Sequence, residues 1–276
     1  MSDPFMIRAH VPDWEASVAD YRAATAATRA NHPHWRTQAY GDGADETVDL
    51  YFPAGGVAEP RPIHMFVHGG YWRAFSKDDN AFVADAVNAA GAIAAIPDYS
   101  LMPGARMATL VDQTRRAARW LSEHAASFGG DARRLSASGH SAGGHLAAYL
   151  VARGPHERGV ELAPVRAVAL ISGLYDLAPI AQSYLQPELQ LTSAEIADWS
   201  PLDARFSAAA HVQLLVGARE TPPFHQQAAA LKARLDAQGV RSDLATVADE
   251  DHMTIVREFG RPDSNCARWL AATLAA

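Results

Sequence analysis

Cysteine is nearly missing from this chain of 276 residues, with Cys266 the only one. That excludes an intrachain disulfide and a thiolate metal cluster, and Cys266 reads as a small apolar residue on a C-terminal helix. Positive charge is also short. The 24 Lys and Arg are outnumbered by 31 Asp and Glu, for a net charge of −7, so the basic footprint that a phosphate backbone demands is absent and nucleic acid is not an expected partner. No apolar run approaches the roughly 20 residues that cross a bilayer, and the N-terminal stretch MSDPFMIRAHVPDWE is too polar for a secretory signal. The expectation is a cytoplasmic protein with no membrane partner. Long Pro, Gly or Ser linkers, internal repeats and low-complexity tracts are lacking as well. With 49% hydrophobic residues the chain can bury one large core. A single domain over 1–276 is therefore expected, with 1–40 as an N-terminal helical extension. The least regular segment, 175–204, reads either as a lid or cap insertion or as a helical crossover.

What is present alternates between two periodicities. Short β-rich runs occur at Thr47–Phe52, Ile63–Val67, Ala92–Ile96, Leu135–Ser138, Val165–Ile171, Val212–Val216 and Asp243–Val247. Segments at helical spacing lie between them, at Met107–Phe128, Ala142–Ala152, Phe224–Gln238 and Asp263–Leu274. Strand and helix taking turns predicts an α/β fold, a mostly parallel sheet with helices on both faces and its ligand site beyond the carboxyl ends of the strands.

Two stretches carry chemistry. Gly139-His140-Ser141-Ala142-Gly143 fits G-x-S-x-G and lies between a predicted strand and a predicted helix, the setting in which such a serine is a nucleophile. The turn is sharp enough to strain Ser141, and glycine at 139 and 143 removes side chains that would collide. The Ala142 N–H then opens the helix, where donors lack partners and negative charge is favoured. The second stretch, His68-Gly69-Gly70-Tyr71-Trp72, follows an apolar strand and supplies Gly70 and Tyr71 as the other oxyanion donors. His68 reads as a structural histidine that ties down this loop.

A serine nucleophile needs a base, and the chain order Ser, acid, His confines the choice to His211, His225 and His252. His211 starts a predicted strand and His225 a predicted helix, whereas His252 follows the last strand and is the expected base. The acid that would hold its ring is Glu220, just past the penultimate strand, in preference to Asp176 past the preceding one. Asp249, Glu250 and Asp251 read as a solvated acidic turn. No pair among His32, His34, His140 and His145 has a recognised metal spacing such as H-E-x-x-H, so they read as surface residues, and neither metal nor other cofactor is expected.

Together, HGGYW, GHSAG, the Glu220 position and the terminal Asp251-His252 resemble an α/β-hydrolase of the kynurenine formamidase (arylformamidase) and esterase group. Pro97–Leu101 and Ser172–Leu177 are similar to connecting segments of this group, so the likeness runs over about residues 45–275. One departure is Glu220, where the family often has Asp. The resemblance implies cleavage of N-formyl-L-kynurenine to L-kynurenine and formate through a formyl-serine, with Tyr71, Trp72 and Phe75 as a candidate aromatic wall for the aryl amine, the alternative being Tyr71 as packing and Trp72 as a buried anchor of the loop. A small-molecule carboxylesterase with the same residues is the alternative, and a non-catalytic binding protein on this fold is a third reading. Oligomeric state stays open, a homodimer included.

Overall fold

The computed structural model describes residues 2–55 and 59–275. Ten strands are found there: β1 (Arg36–Ala39), β2 (Thr47–Tyr51), β3 (Arg61–Val67), β4 (Ile93–Pro97), β5 (Gly130–His140), β6 (Ala152–Arg153), β7 (Val165–Ile171), β8 (Arg205–Phe206), β9 (His211–Gly217) and β10 (Arg241–Val247). Eight of them form one sheet in the order β1-β2-β4-β3-β5-β7-β9-β10, and β6 pairs with β8 separately. β2 runs antiparallel to both its neighbours, and from β4 to β10 every pairing is parallel.

The helices are α1 (Trp14–Asn31), α2 (Lys77–Asn80), α3 (Val83–Ala89), α4 (Met107–His124), α5 (Ala142–Ala148), α6 (Gln186–Leu189), α7 (Ser193–Trp199), α8 (Pro222–Ala237), α9 (Thr254–Phe259) and α10 (Ala267–Ala275). Helices cover both faces of the inner strands, which accordingly read as continuous apolar runs. All seven residues of β9 are buried, whereas β10 at the edge is mostly exposed and carries Leu244 outward. Among the described residues no helix is long and apolar enough to cross a membrane.

Register decides where the site lies. Val67 pairs with Gly139, His140 with Ile171, Ile171 with Leu215, and Gly217 with Val247. The carboxyl ends of β3, β5, β7, β9 and β10 therefore finish side by side, and the loops leaving them converge at one end of the sheet.

Three predicted helices start or stop elsewhere. α5 ends at Ala148, because Tyr149, Leu150 and Val151 close i→i−3 bonds and the chain enters β6. α4 gives way after His124 to a 3₁₀ turn that Gly129 ends at φ 78°. α10 begins only at Ala267, whose N–H donates to Ser264 Oγ at 3.0 Å.

The N-terminal extension does include a long helix. α1 is capped by Asp13, which accepts the Ala16 N–H, and its Arg29 bonds the fully buried Asp49 of β2 at 3.0 Å. That buried charge also receives Lys77 Nζ at 2.7 Å and the Thr37 hydroxyl at 2.7 Å, so it is paired as burial requires. α1 is thereby fixed to the sheet. Segment 175–204 holds α6 and α7, and Arg106, just ahead of α4, forks onto Glu195 of α7.

Candidate active site

Ser141 stands between β5 and α5 at φ 56° and ψ −120°, a conformation that L residues rarely adopt. Its N–H is held by the Ile171 carbonyl at 2.8 Å. The two glycines of the motif are required by contact. A Cβ on Gly139 would come within 2.2 Å of the Gly143 carbonyl oxygen, and one on Gly143 within 2.0 Å of the Val67 oxygen. β5 and α5 thus pack backbone to backbone, which turns the serine out at the sheet end.

Glu220 and His252 meet at this end. His252 Nδ1 donates to Glu220 Oε2 at 2.7 Å, since a carboxylate can only accept. The other carboxylate oxygen accepts the Gly217 N–H at 2.7 Å and the Ser172 hydroxyl at 2.5 Å. Three donors from three loops hold this one group. With Nδ1 committed, Nε2 of a neutral ring carries the lone pair. Ser141 and His252 line the same cavity; no hydrogen bond joins their side chains, a spacing that is common when substrate is absent. Asp176 lies elsewhere, with its Oδ1 accepting the Ala178 N–H at 2.9 Å.

Of the solvated turn expected at Asp249–Asp251, Asp249 is exposed and Glu250 half-buried, but Asp251 departs from it. Asp251 is buried, and its carboxylate accepts the N–H groups of Met253 and Thr254, both at 2.9 Å. It caps the chain into α9 and so fixes the loop that carries His252. His140 and His145 are likewise buried rather than on the surface, because the sheet end and α5 are covered on all sides. His34 is exposed and His32 pairs with Asp85 at 2.9 Å. Among the described residues no three His, Cys, Asp or Glu side chains are grouped as metal ligands. Cys266 is buried as expected but lies just ahead of α10 rather than on it, because the helix starts only at Ala267, and burial pushes its thiol up to about 12.

The loop after β3 runs through unusual backbone. Gly70, Tyr71, Trp72 and Phe75 all have positive φ, at 109°, 49°, 56° and 64°. Gly70 is obligatory there, for a Cβ would meet the Ala74 oxygen at 2.0 Å. The turn leaves the Gly70 and Tyr71 N–H groups without acceptors among the described residues, and Ala142 opens α5 directly after Ser141.

Tyr71 and Phe75 line the cavity with Ser141, Gly69, Gly70 and His252. Trp72 does not, so it drops out of the candidate aromatic wall and takes the alternative place, a buried anchor of the loop. It is wholly buried and its indole N–H reaches His145 Nδ1 at 3.3 Å, so it anchors the loop from behind. The rest of the wall comes from residues that the motifs did not single out, namely Ile7, Trp14 and Tyr21 of the N-terminal segment with Asn80 and Met253. That segment is tied over the site. Phe5 O accepts the Tyr71 hydroxyl at 2.6 Å, Pro4 O the Thr221 hydroxyl at 2.8 Å, and Asp3 Oδ2 the Tyr184 N–H at 2.7 Å. The free space beneath it is about 30 Å³, roughly that of two water molecules.

His68 ties down the loop, as its motif suggested. Its ring stacks on Tyr99 at 4.3 Å, Nδ1 donates to the Gly69 carbonyl at 2.9 Å, and Tyr99 donates to the His68 carbonyl at 2.9 Å. Burial keeps the ring neutral, down at about 4, so its unpartnered Nε2 is a lone pair facing Asp98 Oδ1 3.6 Å away. Burial in turn raises Asp98 to about 6. Between about pH 4 and 6 folded Asp98 holds a proton that the unfolded chain has lost, a contribution to stability that falls as pH rises, whereas neutral His68 lacks one that the unfolded chain holds, so the two contributions oppose each other across the window. Asp98→Asn removes the buried charge while its side-chain oxygen still accepts the Lys77 N–H, now 2.7 Å away. It should stabilise the protein by about 1–2 kcal/mol at pH 7.5 and by less at pH 4.5. Urea denaturation at the two pH values checks this, and an advantage independent of pH would contradict it.

Comparison with known proteins agrees with this fold. A family model described as the α/β-hydrolase fold matches residues 64–256, well over half of the chain. The chain belongs to the α/β-hydrolase family. Among curated relatives of this α/β-hydrolase, the kynurenine formamidase of Danio rerio is 29% identical over 266 residues, covering 94% of this chain and 86% of that one. The carboxylesterase NlhH of Mycobacterium tuberculosis is 36% identical over 117 residues, which cover 42% of this chain and 36% of the other. A crystal structure from Silicibacter sp., described as that of a candidate thioesterase, superposes with a TM-score of 0.84 at 27% identity, over 100% of this chain and 98% of that one.

Proposed function

We propose that this α/β-hydrolase is a serine hydrolase of aryl formamides, with N-formyl-L-kynurenine as substrate and Ser141, His252 and Glu220 as its catalytic residues. The observation that carries the reading is the His252–Glu220 pair set on the cavity that Ser141 lines, the arrangement that acyl transfer through a serine requires. The relatedness over nearly the whole chain to a protein named kynurenine formamidase points the same way.

In this mechanism Ser141 Oγ attacks the formyl carbon while His252 Nε2 takes its proton. Glu220 holds the ring through Nδ1 and stabilises the imidazolium. The N–H groups of Gly70, Tyr71 and Ala142 bind the oxyanion, each worth roughly 3 kcal/mol in the transition state. His252 then gives its proton to the aniline nitrogen and the C–N bond breaks. Water releases formate by the same steps in reverse. The aryl amine needs more room than the cavity has, so the N-terminal segment over Tyr71 and Phe75 must yield when substrate binds. Such chemistry on a soluble metabolite fits a cytoplasmic site of action.

A small-molecule carboxylesterase is the second reading, favoured by the likeness to NlhH. Measuring kcat/KM on N-formyl-L-kynurenine beside p-nitrophenyl acetate and butyrate separates the two. The formamidase reading predicts about 10⁴ M⁻¹s⁻¹ or more on the formamide, and acetate cleaved faster than butyrate. Ester turnover without formamide turnover would leave an esterase.

A further inference from the structure

His140, the residue before the nucleophile, is not used by the mechanism above, yet it lines the same cavity as Ser141, Gly69, Gly70 and His252. It is the last residue of β5 and is 4% exposed. Its ring lies 4.7 Å from that of His252, centroid to centroid, and its Nε2 is 2.8 Å from the His252 carbonyl oxygen. A carbonyl only accepts, so Nε2 bears the proton. Burial, with His252 nearby, holds the ring far below the usual imidazole range and therefore neutral. Nδ1 is then a bare lone pair. It makes no hydrogen bond among the described residues, and it sits beside the oxyanion loop, since a Cβ on Gly69 would lie 3.2 Å from both His140 Nδ1 and Ser141 Cβ.

We infer that His140 Nδ1 accepts a hydrogen bond from the N–H of the scissile amide, and so sets the preference of this site for aryl formamides over aryl formates. This rests on the formamidase reading and deepens it. When Ser141 Oγ bonds to the formyl carbon, the amide nitrogen becomes pyramidal and must turn its lone pair toward His252 to be protonated. Its own N–H is thereby directed elsewhere and needs an acceptor, which His140 Nδ1 supplies beside both groups. The C–N bond then breaks, and the amine leaves with its original proton and the one passed from Ser141 through His252. An ester oxygen has no hydrogen at this step. Its lone pairs would face that of Nδ1 instead, which disfavours the ester.

Two substitutions separate this role from the support that Nε2 gives the His252 loop. In His140→Gln the side-chain amide N–H reaches the Nε2 position and keeps the bond to the His252 carbonyl, but leaves no acceptor where Nδ1 was. In His140→Asn the reverse holds, with an acceptor near the Nδ1 position and no reach to the carbonyl. The substrates are formanilide and phenyl formate, which differ at the leaving atom. The ratio of their kcat/KM values, formamide over ester, should fall about tenfold in His140→Gln. In His140→Asn it should stay closer to wild type while both rates drop. If His140→Gln slows both substrates by one factor, the residue only positions His252 and the inference is overturned. Wild-type turnover of N-formyl-L-kynurenine is read separately. Its absence alongside a shifted formanilide ratio would sink the physiological substrate and leave the role of His140 standing.

Discussion

Ser141→Ala is expected to lower kcat/KM by at least about 10⁴-fold on formamide and ester alike, while stability changes by less than about 0.5 kcal/mol. The rate falls because the covalent intermediate can no longer form. The oxyanion donors and the Glu220–His252 pair survive, so residual water attack sets the floor. The fold is spared because the strained backbone at 141 is imposed by the close packing of Gly139 and Gly143 and by the bond from the Ser141 N–H to Ile171, none of which needs the hydroxyl. Steady-state kinetics with urea denaturation of the same preparation test both halves. Turnover within tenfold of wild type would show that another group is the nucleophile.

Glu220→Gln should cost about 10³–10⁴-fold in kcat with KM changed by less than about threefold. The carboxylate now accepts from Gly217, Ser172 and His252 at once. Glutamine keeps one oxygen, which suffices for Gly217 and Ser172, and turns an NH₂ toward His252. Two donors then face each other, and the imidazole relieves this by moving its proton to Nε2, where it can no longer accept from Ser141. Glu220→Ala should lose activity and also stability, by about 1–3 kcal/mol, because the buried Ser172 hydroxyl and Gly217 N–H are left unpaired. A Glu220→Gln enzyme within tenfold of wild type would mean that the acid is not at this position.

Both predictions concern residues legible in the sequence, for reasons that also explain what was hidden. Ser141 announces itself because a strand-to-helix reversal tolerates only small neighbours, and Glu220 and His252 because a parallel sheet places its loops at one end. The inner strands were visible as buried apolar runs. β1 was not, since Arg36-Thr37-Gln38-Ala39 is a mostly exposed edge with no apolar signature. The walls of the cavity were hidden for a different reason. Ile7, Trp14 and Tyr21 reach the site only through the long-range docking of the N-terminal segment, although Trp14, Tyr21, Thr25 and Thr28 share one face of α1 and buried Tyr21, Thr25 and Thr28 mark it as a packed face. Asp251 departs from its sequence reading, and Trp72 stays open between wall and anchor until the structure places it, because an aromatic or a carboxylate next to a motif can face either way along a tight loop. Tyr71 and Trp72, adjacent in sequence, point one into the cavity wall and the other into the core.

The central claim is that formamide hydrolysis passes through Ser141. Titrating the protein with a fluorophosphonate while following N-formyl-L-kynurenine turnover tests it directly, with peptide mass mapping of the labelled chain. Activity should vanish in proportion to label, reach zero at one label per chain, and the adduct should map to the peptide containing Ser141. Formamide turnover that persists after Ser141 is fully labelled would contradict the account.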